Sequence, residues 1–396
     1  MEVDSPRAWI NVLAAFISCF TVFGVAYSFG AFFRPMGLEF GASRVPTSAV
    51  FAITAAVYNL LGAPAGHLAD RYGPRRVVIA GAIAMGLGLA LTSRIDRLWL
   101  GYLTYGLGVG IGVACGYVPM LAVVGGWFSR MRNVALGIAV SGIGCGTLAA
   151  APAAAALIER YGWRPTYVIF AVVSAIMLAG CALLSEAPPV HLHPAPARLA
   201  EAIRTPHFVM LYLASVLSSI AIYVPLVYLP EFAHAHGASR VAAAALVGLV
   251  GGASVAGRLI LGAFGGRAGV FRLYKACLLA LGLSYVIWIA AHGLGMLAIF
   301  AIAMGASYGG LVALNPSVVA ELFGVRGLGA VLGTLYTSSA ISALLGPPLA
   351  GFIIDMTGGY SWAIAIAGAT SIAAFFIVVP LRAIPDTIRT GASEAG

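Results

Sequence analysis

Apolar length constrains this chain more than any other property. A stretch of about 20 apolar residues crosses the hydrocarbon core of a bilayer. The sequence holds twelve of them, at Ala8–Phe33, Val45–Leu68, Arg76–Thr92, Leu98–Val124, Val134–Leu157, Thr166–Leu184, His207–Leu229, Val241–Phe264, Val270–Ala291, Leu294–Ala320, Leu328–Ile354 and Trp362–Leu381. Lipid offers backbone N–H and C=O groups no partner, so segments this long satisfy them internally, as helices. Of the 396 residues, 61% are hydrophobic and 9% charged, where a soluble domain carries about 25% charged residues. The expected fold is all-α, a membrane protein of twelve transmembrane helices.

The net charge of +9 comes from one Lys and 21 Arg scattered over short connections. They form no basic stripe, so nucleic acid is not an expected partner; an anionic lipid surface suits them better. Their distribution sets an orientation. With the N-terminus in the cytoplasm, fourteen basic residues fall inside, among them Arg71, Arg75, Arg76, Arg130, Arg132 and Lys275. Seven fall outside: Arg34, Arg44, Arg94, Arg97, Arg160, Arg164 and Arg240. Both termini are therefore expected in the cytoplasm, with the chain in the plasma membrane (the cell inner membrane). MEVDSPRAWI lacks the pattern of a removable signal peptide. The five cysteines, Cys19, Cys115, Cys145, Cys181 and Cys277, all lie in apolar runs without a CxxC pair, which suits buried thiols better than disulfides or metal ligands. No catalytic triad, metal cluster or pair of carboxylates stands out, so neither an enzyme nor a cofactor is expected.

The chain repeats itself. GASRV stands at Gly41–Val45 and again at Gly237–Val241, 196 residues later. The same offset pairs Tyr27 with Tyr223, Gly66 with Gly262, Arg71 with Arg267, Gly73 with Gly269, Gly137 with Gly333, Pro152 with Pro348 and Glu159 with Asp355. The Pro-rich stretch 185–206 lies between the copies and reads as a cytoplasmic linker. Residues 1–184 and 207–384 are then two six-helix halves, and 385–396 a cytoplasmic tail. Paired repeats of this kind place a substrate between the halves, near the midplane.

Gly66–Arg76 reads GHLADRYGPRR between the second and third runs. It resembles the signature loop of the major facilitator superfamily. In it Asp70 can pair with arginine or cap a helix, while Arg71 anchors the loop at the membrane surface. The second copy has Gly266 where Asp70 would fall, so a charge latch is expected in the first half only. Gly126–Gly142, GWFSRMRNVALGIAVSG, resembles the fifth-helix motif of the monocarboxylate transporter family: an aromatic pair, basic Arg130 and Arg132, then alternating small residues. The N-terminal motif of that family is not matched by SPRAWI. Glycine runs such as GLGVGIG at Gly106–Gly112 lie inside spans and read as helix packing, not as nucleotide loops.

Arg258 is the one charge within a span, in VAAAALVGLVGGASVAGRLILGAF. Such a charge costs about 2.5–3.5 kcal/mol on insertion scales and marks a functional site. It can snorkel to the cytoplasmic headgroups or face the central cavity. Helical side chains tilt toward their own N-terminus, here toward the membrane centre, which favours the cavity. The resemblance extends to oxalate/formate exchangers, and in both groups an arginine of the eighth helix holds the substrate carboxylate. Those exchangers carry a second cation on the eleventh helix, and Leu328–Ile354 has none, which favours a monocarboxylate. Many animal members have Asp one turn before this arginine; here it is Ser254, and no span offers an obvious proton-carrying carboxylate.

The superfamily's cavity-facing helices add Tyr27, Tyr117, Tyr223, Tyr308, Asn315 and Tyr336 as lining, with Asn59 and Ser254 as further polar candidates. His234 and His236, beside Glu231, are expected in an outer surface loop. The implied function is a secondary active transporter moving small monocarboxylates of the lactate or pyruvate type, with protons, as a monomer. The alternatives are an organic anion exchanger of the oxalate/formate type and a membrane sensor that binds without transporting.

Overall fold

The structure, a computed structural model, describes residue 6 and residues 8–129, 131–186, 202–323 and 328–381. Among the described residues twelve helical spans are long and apolar enough to cross a membrane. In chain order they are α1 (Ala8–Glu39), α2 (Arg44–Tyr72), α3 (Pro74–Thr92), α4 (Leu98–Trp127), α5 (Val134–Tyr161), α6 (Trp163–Leu184), α7 (Pro206–Ala235), α8 (Arg240–Gly262), α9 (Val270–Ile289), α10 (Leu294–Phe323), α11 (Val331–Thr357) and α12 (Ser361–Val378). All twelve expected spans are present. Several run a turn or more past the apolar residues, because the backbone keeps its own hydrogen bonds where charged side chains reach the headgroups. Arg34, expected in a loop, is thus part of α1. Glu231 and His234, also expected in a loop, stand on the last turns of α7.

Six glycines among the described residues adopt positive φ: Gly41 (60°), Gly73 (86°), Gly162 (84°), Gly237 (90°), Gly269 (87°) and Gly358 (68°). Only glycine enters this region without strain. They form three pairs, each 196 residues apart, so the repeat read from the sequence is also a repeat of turn geometry. Two helices depart from regularity. α1 is interrupted at Ser28, whose hydroxyl donates to the Val25 carbonyl at 2.8 Å. α4 opens with a π-helical segment, Tyr102–Leu107.

The first six helices and the last six pack as two groups, joined chiefly where α5 lies along α8 and α2 along α11. Lipid supplies no hydrophobic force between helices, so close approach depends on small residues. Gly144 of α5 and Gly251 of α8 meet backbone to backbone. A Cβ at Gly251 would stand 2.7 Å from the Gly144 carbonyl oxygen, and one at Gly144 would strike that of Gly251.

The 185–206 connection joins the end of α6 to α7, and we call that side the linker face. On the opposite face a charged cluster ties the two groups. Arg44, at the start of α2, places Nη1 2.8 Å from Asp355 of α11 and Nη2 2.9 Å from Glu231 of α7. Its guanidinium also lies over the Tyr360 ring, 5.7 Å from the centroid. Glu231 is only 10% exposed at its side chain, and no described group donates to its Oε2. Beneath the cluster, Phe33 meets Tyr228 edge-on and Phe51 meets Tyr223. A Cβ on Gly137 of α5 or on Gly333 of α11 would meet no atom within 4 Å. On the Arg44 face the ion pairs hold α2 to α7 and α11.

Arg44→Gln leaves the Glu231 carboxylate buried without its cation, a loss on the order of 1–3 kcal/mol. The expected outcome is a lower midpoint for thermal unfolding in detergent, together with faster labelling of a thiol introduced by Phe51→Cys. Unchanged labelling would show that the cluster is not what closes this face.

Candidate substrate site

Arg258 sits on α8 and is 8% exposed. α8 can bring it here because its neighbours yield space in backbone: a Cβ on Gly257 would strike the Ala306 carbonyl of α10, and one on Gly309 would strike the Ser254 carbonyl. The guanidinium crosses to the other half of the molecule, where Nη1 donates to the Val140 carbonyl of α5 at 2.9 Å. Its carbon lies 5.5 Å from the centroid of the Tyr308 ring, on α10. Nε and Nη2 are buried, and no described residue accepts from either. Those two nitrogens form one edge of the planar group, the edge that grips a carboxylate with two parallel hydrogen bonds. The residue is therefore anchored at one corner and unpaired along one side.

The Tyr308 ring lies against the guanidinium, and Phe23 packs its ring against those of Tyr27, Tyr58 and Tyr117. Tyr117, on α4, is set by Phe23, whose ring meets it edge-on at 5.1 Å. Tyr336, on α11, is 40% exposed. Above Tyr308, Tyr27 and Tyr58 hydroxyls stand 3.4 Å apart, and those of Tyr58 and Tyr223 3.2 Å apart. Asn59 donates to the Tyr223 oxygen at 3.0 Å. Arg258 is thus a buried cation with an unpaired edge, an arrangement that can hold an anion.

The model of the Major Facilitator Superfamily matches residues 13–289 and 211–395. The chain belongs to that superfamily. Within it, the chain is 30% identical over 387 residues to monocarboxylate transporter 13 of Bos taurus, an alignment covering 96% of this chain and 90% of that one. It is 31% identical over 385 residues to monocarboxylate transporter 3 of Rattus norvegicus, covering 92% and 78%. These relatives place it in the monocarboxylate transporter family. Among solved structures, a bacterial homolog of the human lysosomal transporter Spinster, in an inward-facing and occupied conformation, superposes with a TM-score of 0.74 at 18% identity. That likeness covers 95% of this chain and 97% of the other and concerns the fold. The protein is a transporter of the superfamily, not an enzyme.

The remaining residues singled out in the sequence divide. Ser254 is buried but donates to the Gly251 carbonyl of its own helix at 2.8 Å, so its hydroxyl is not offered to the cavity. Asn315 has a buried Oδ1 to which no described group donates, and no described contact ties it to the phenols. Asp70 and Arg71 are exposed on the linker face, Arg71 lying over Tyr72 at 5.3 Å. Arg132 donates from Nε to the Phe128 carbonyl at 2.9 Å, capping the turn before α5. Arg130 lies outside the described residues. His234 and His236 hold the end of α7, with Nδ1 atoms 2.8 Å from the Ala238 and Phe232 carbonyls. Sequence reasoning missed Tyr58 and the Val140 carbonyl. A backbone acceptor leaves no trace in composition, and Tyr58 has no counterpart at the 196-residue offset.

If close packing of α8 on α10 sets the guanidinium's reach, Gly309→Ala will abolish transport and lower the unfolding midpoint. Gly137→Ala, which meets nothing, will leave both unchanged or raise the midpoint. A transport-competent Gly309→Ala variant would contradict this.

Proposed function

We propose that the protein is a secondary active transporter of small monocarboxylates, of the lactate or pyruvate type, moving them with protons by alternating access around Arg258. The observation that carries this reading is the unpaired Nε/Nη2 edge of Arg258. Each buried donor without a partner costs about 1–3 kcal/mol, so the empty site holds a penalty that an arriving carboxylate relieves. The site has one cation, and α11 carries no second, which suits one carboxylate better than two. This favours monocarboxylates over the dicarboxylates handled by exchangers of the oxalate/formate type.

Tyr308 and Tyr117 flank the guanidinium, and their hydroxyls suit the 2-oxo or 2-hydroxyl group beside such a carboxylate. Tyr336, Tyr27 and Tyr223 complete the enclosure, and Asn315 is a polar group toward the linker face. Ser254 contributes packing. The linker face is cytoplasmic in this reading, by its share of arginines, and the membrane is the plasma membrane. The face tied by the Arg44 ion pairs is then the outer one, and release occurs inward. Asp70, Arg71, Arg130 and Arg132 steer the loops of the cytoplasmic face during rocking. A single copy of the chain contains the whole site.

Because the guanidinium anchors on Val140 and binds along its other edge, a loaded Arg258 bridges the halves, and an empty one does so at one corner only. Ligand binding thereby favours conformations in which the halves are drawn together. In proteoliposomes, labelled lactate or pyruvate is expected to enter faster under an inward-directed acid gradient. Arg258→Ala should reduce uptake at least a hundredfold, from loss of a charge-assisted pair worth about 3 kcal/mol. Gradient-independent uptake would remove the proton from the mechanism; an active Arg258→Ala variant would remove the site.

A further inference from the structure

We infer that Glu231 is a proton-binding site, and that a proton held on its Oε2 stabilises the arrangement in which Arg44 ties the two halves together. The inference concerns the face that carries Arg44 and is independent of the reading of Arg258.

Two carboxylates share one guanidinium. Asp355 has a donor on each oxygen: Arg44 Nη1 stands 2.8 Å from Oδ1, and the Arg44 backbone N–H donates to Oδ2 at 3.2 Å. Glu231 is served on one side only. Arg44 Nε and Nη2 both point at its Oε1, at 3.1 and 2.9 Å. Its Oε2 is buried, and no described group donates to it. The side chains also differ in exposure, 29% for Asp355 against 10% for Glu231. A carboxylate oxygen that loses its water and gains no donor is costly to keep ionised, and one cation offsets only one of two such charges. A proton on Oε2 leaves Arg44 and Asp355 as a balanced pair, with Oε1 still accepting from the guanidinium. Of the two acids, Glu231 is the one with an oxygen left for the proton.

Glu231 stands in the wall of a cavity of about 450 Å³ lined also by Arg34, Thr47 and Tyr360. Its Oε2 is covered, so the proton arrives while this face is apart and water reaches the carboxylate. It is retained when the helices close over it. The other charged and titratable groups around Glu231 are Arg34 on α1, Arg240 at the start of α8, Tyr228 and His234 on α7, and Tyr360 ahead of α12. Arg34 and Arg240 are exposed, so water and salt screen them. His234 turns Nδ1 to the Ala238 carbonyl at 2.8 Å. Tyr228 donates to the Pro347 carbonyl at 2.9 Å, and the Tyr360 hydroxyl accepts from Arg44 Nη2 at 3.4 Å. Because the proton is held more tightly with the helices together than apart, acid favours the closed arrangement. In the orientation proposed above, an acidic outer medium then favours the step that encloses a guest.

The test uses purified full-length protein in detergent, so it needs neither a transported substrate nor a membrane orientation. Thiol labelling of Phe51→Cys, beneath the cluster, is compared with that of Phe51→Cys/Glu231→Gln over a pH series, each measured above the background of the native cysteines. The ratio of the two rates cancels the titration of the introduced thiol. At about pH 5 the two should label alike, and at about pH 8 the protein with Glu231 should label roughly threefold to tenfold faster, because its ionised carboxylate opposes closure. Glu231→Asp, which keeps an acid, should restore the dependence, and His234→Gln should leave it intact. An infrared titration reads the same proton without a label: a carboxylic acid carbonyl band should grow as pH falls and be missing in Glu231→Gln. A labelling ratio that does not change with pH would overturn the inference. So would an acid band that is the same in both proteins, or a dependence that disappears in His234→Gln.

Discussion

A buried guanidinium with two of its three nitrogens unpaired is the interaction on which the rest of the structure depends. A charge within a span is costly, and Arg258 meets part of that cost by reaching across the molecule to the Val140 carbonyl and lying over the Tyr308 ring. The remaining edge is left to the space between the halves. Close glycine contacts on α8, α10 and α5 exist to let the backbone come near enough for a single side chain to touch both halves. A bulkier helix face would keep α8 from α10 and leave the cation facing lipid.

Duplication built the frame and divergence built the site. The position 196 residues before Arg258 is Gly62, so the cation belongs to one half only. Tyr27 and Tyr223 survive as a pair, and they enter the same hydrogen-bonded chain through Tyr58. The closed face shows the same asymmetry. Arg44 pairs with Asp355, whereas their repeat-related counterparts, Arg240 and Glu159, are exposed and unpaired among the described residues. Among the described residues, the pseudo-symmetric bundle thus carries this ion-pair cluster on one face only and the buried guanidinium in one half only.

Much of this was legible in the chain itself. The twelve spans follow from apolar length, and the repeat follows from GASRV and the glycines in register. All six positive-φ glycines stand in that register, because a turn that needs left-handed backbone cannot accept another residue. Arg258 was identifiable by its isolation. Glu231 was not: its apolar run ends two residues earlier, and counting hydropathy stops at the charge while the helix continues. Ser254 shows the converse error, a polar residue on the right helix whose hydroxyl turns back to its own backbone.

Sequence alone determined the number of helices, the existence of two related halves and the residue that carries the buried charge. Each of these depends on the composition of a local segment or on its repetition. Tertiary structure decided which edge of the guanidinium is free, which carbonyl holds the other corner, and that Asn59, Tyr223, Tyr58 and Tyr27 form one hydrogen-bonded chain. Those facts are set by distances between helices remote in sequence. Such distances depend on where glycines allow backbones to meet, and no periodicity within a single helix encodes them.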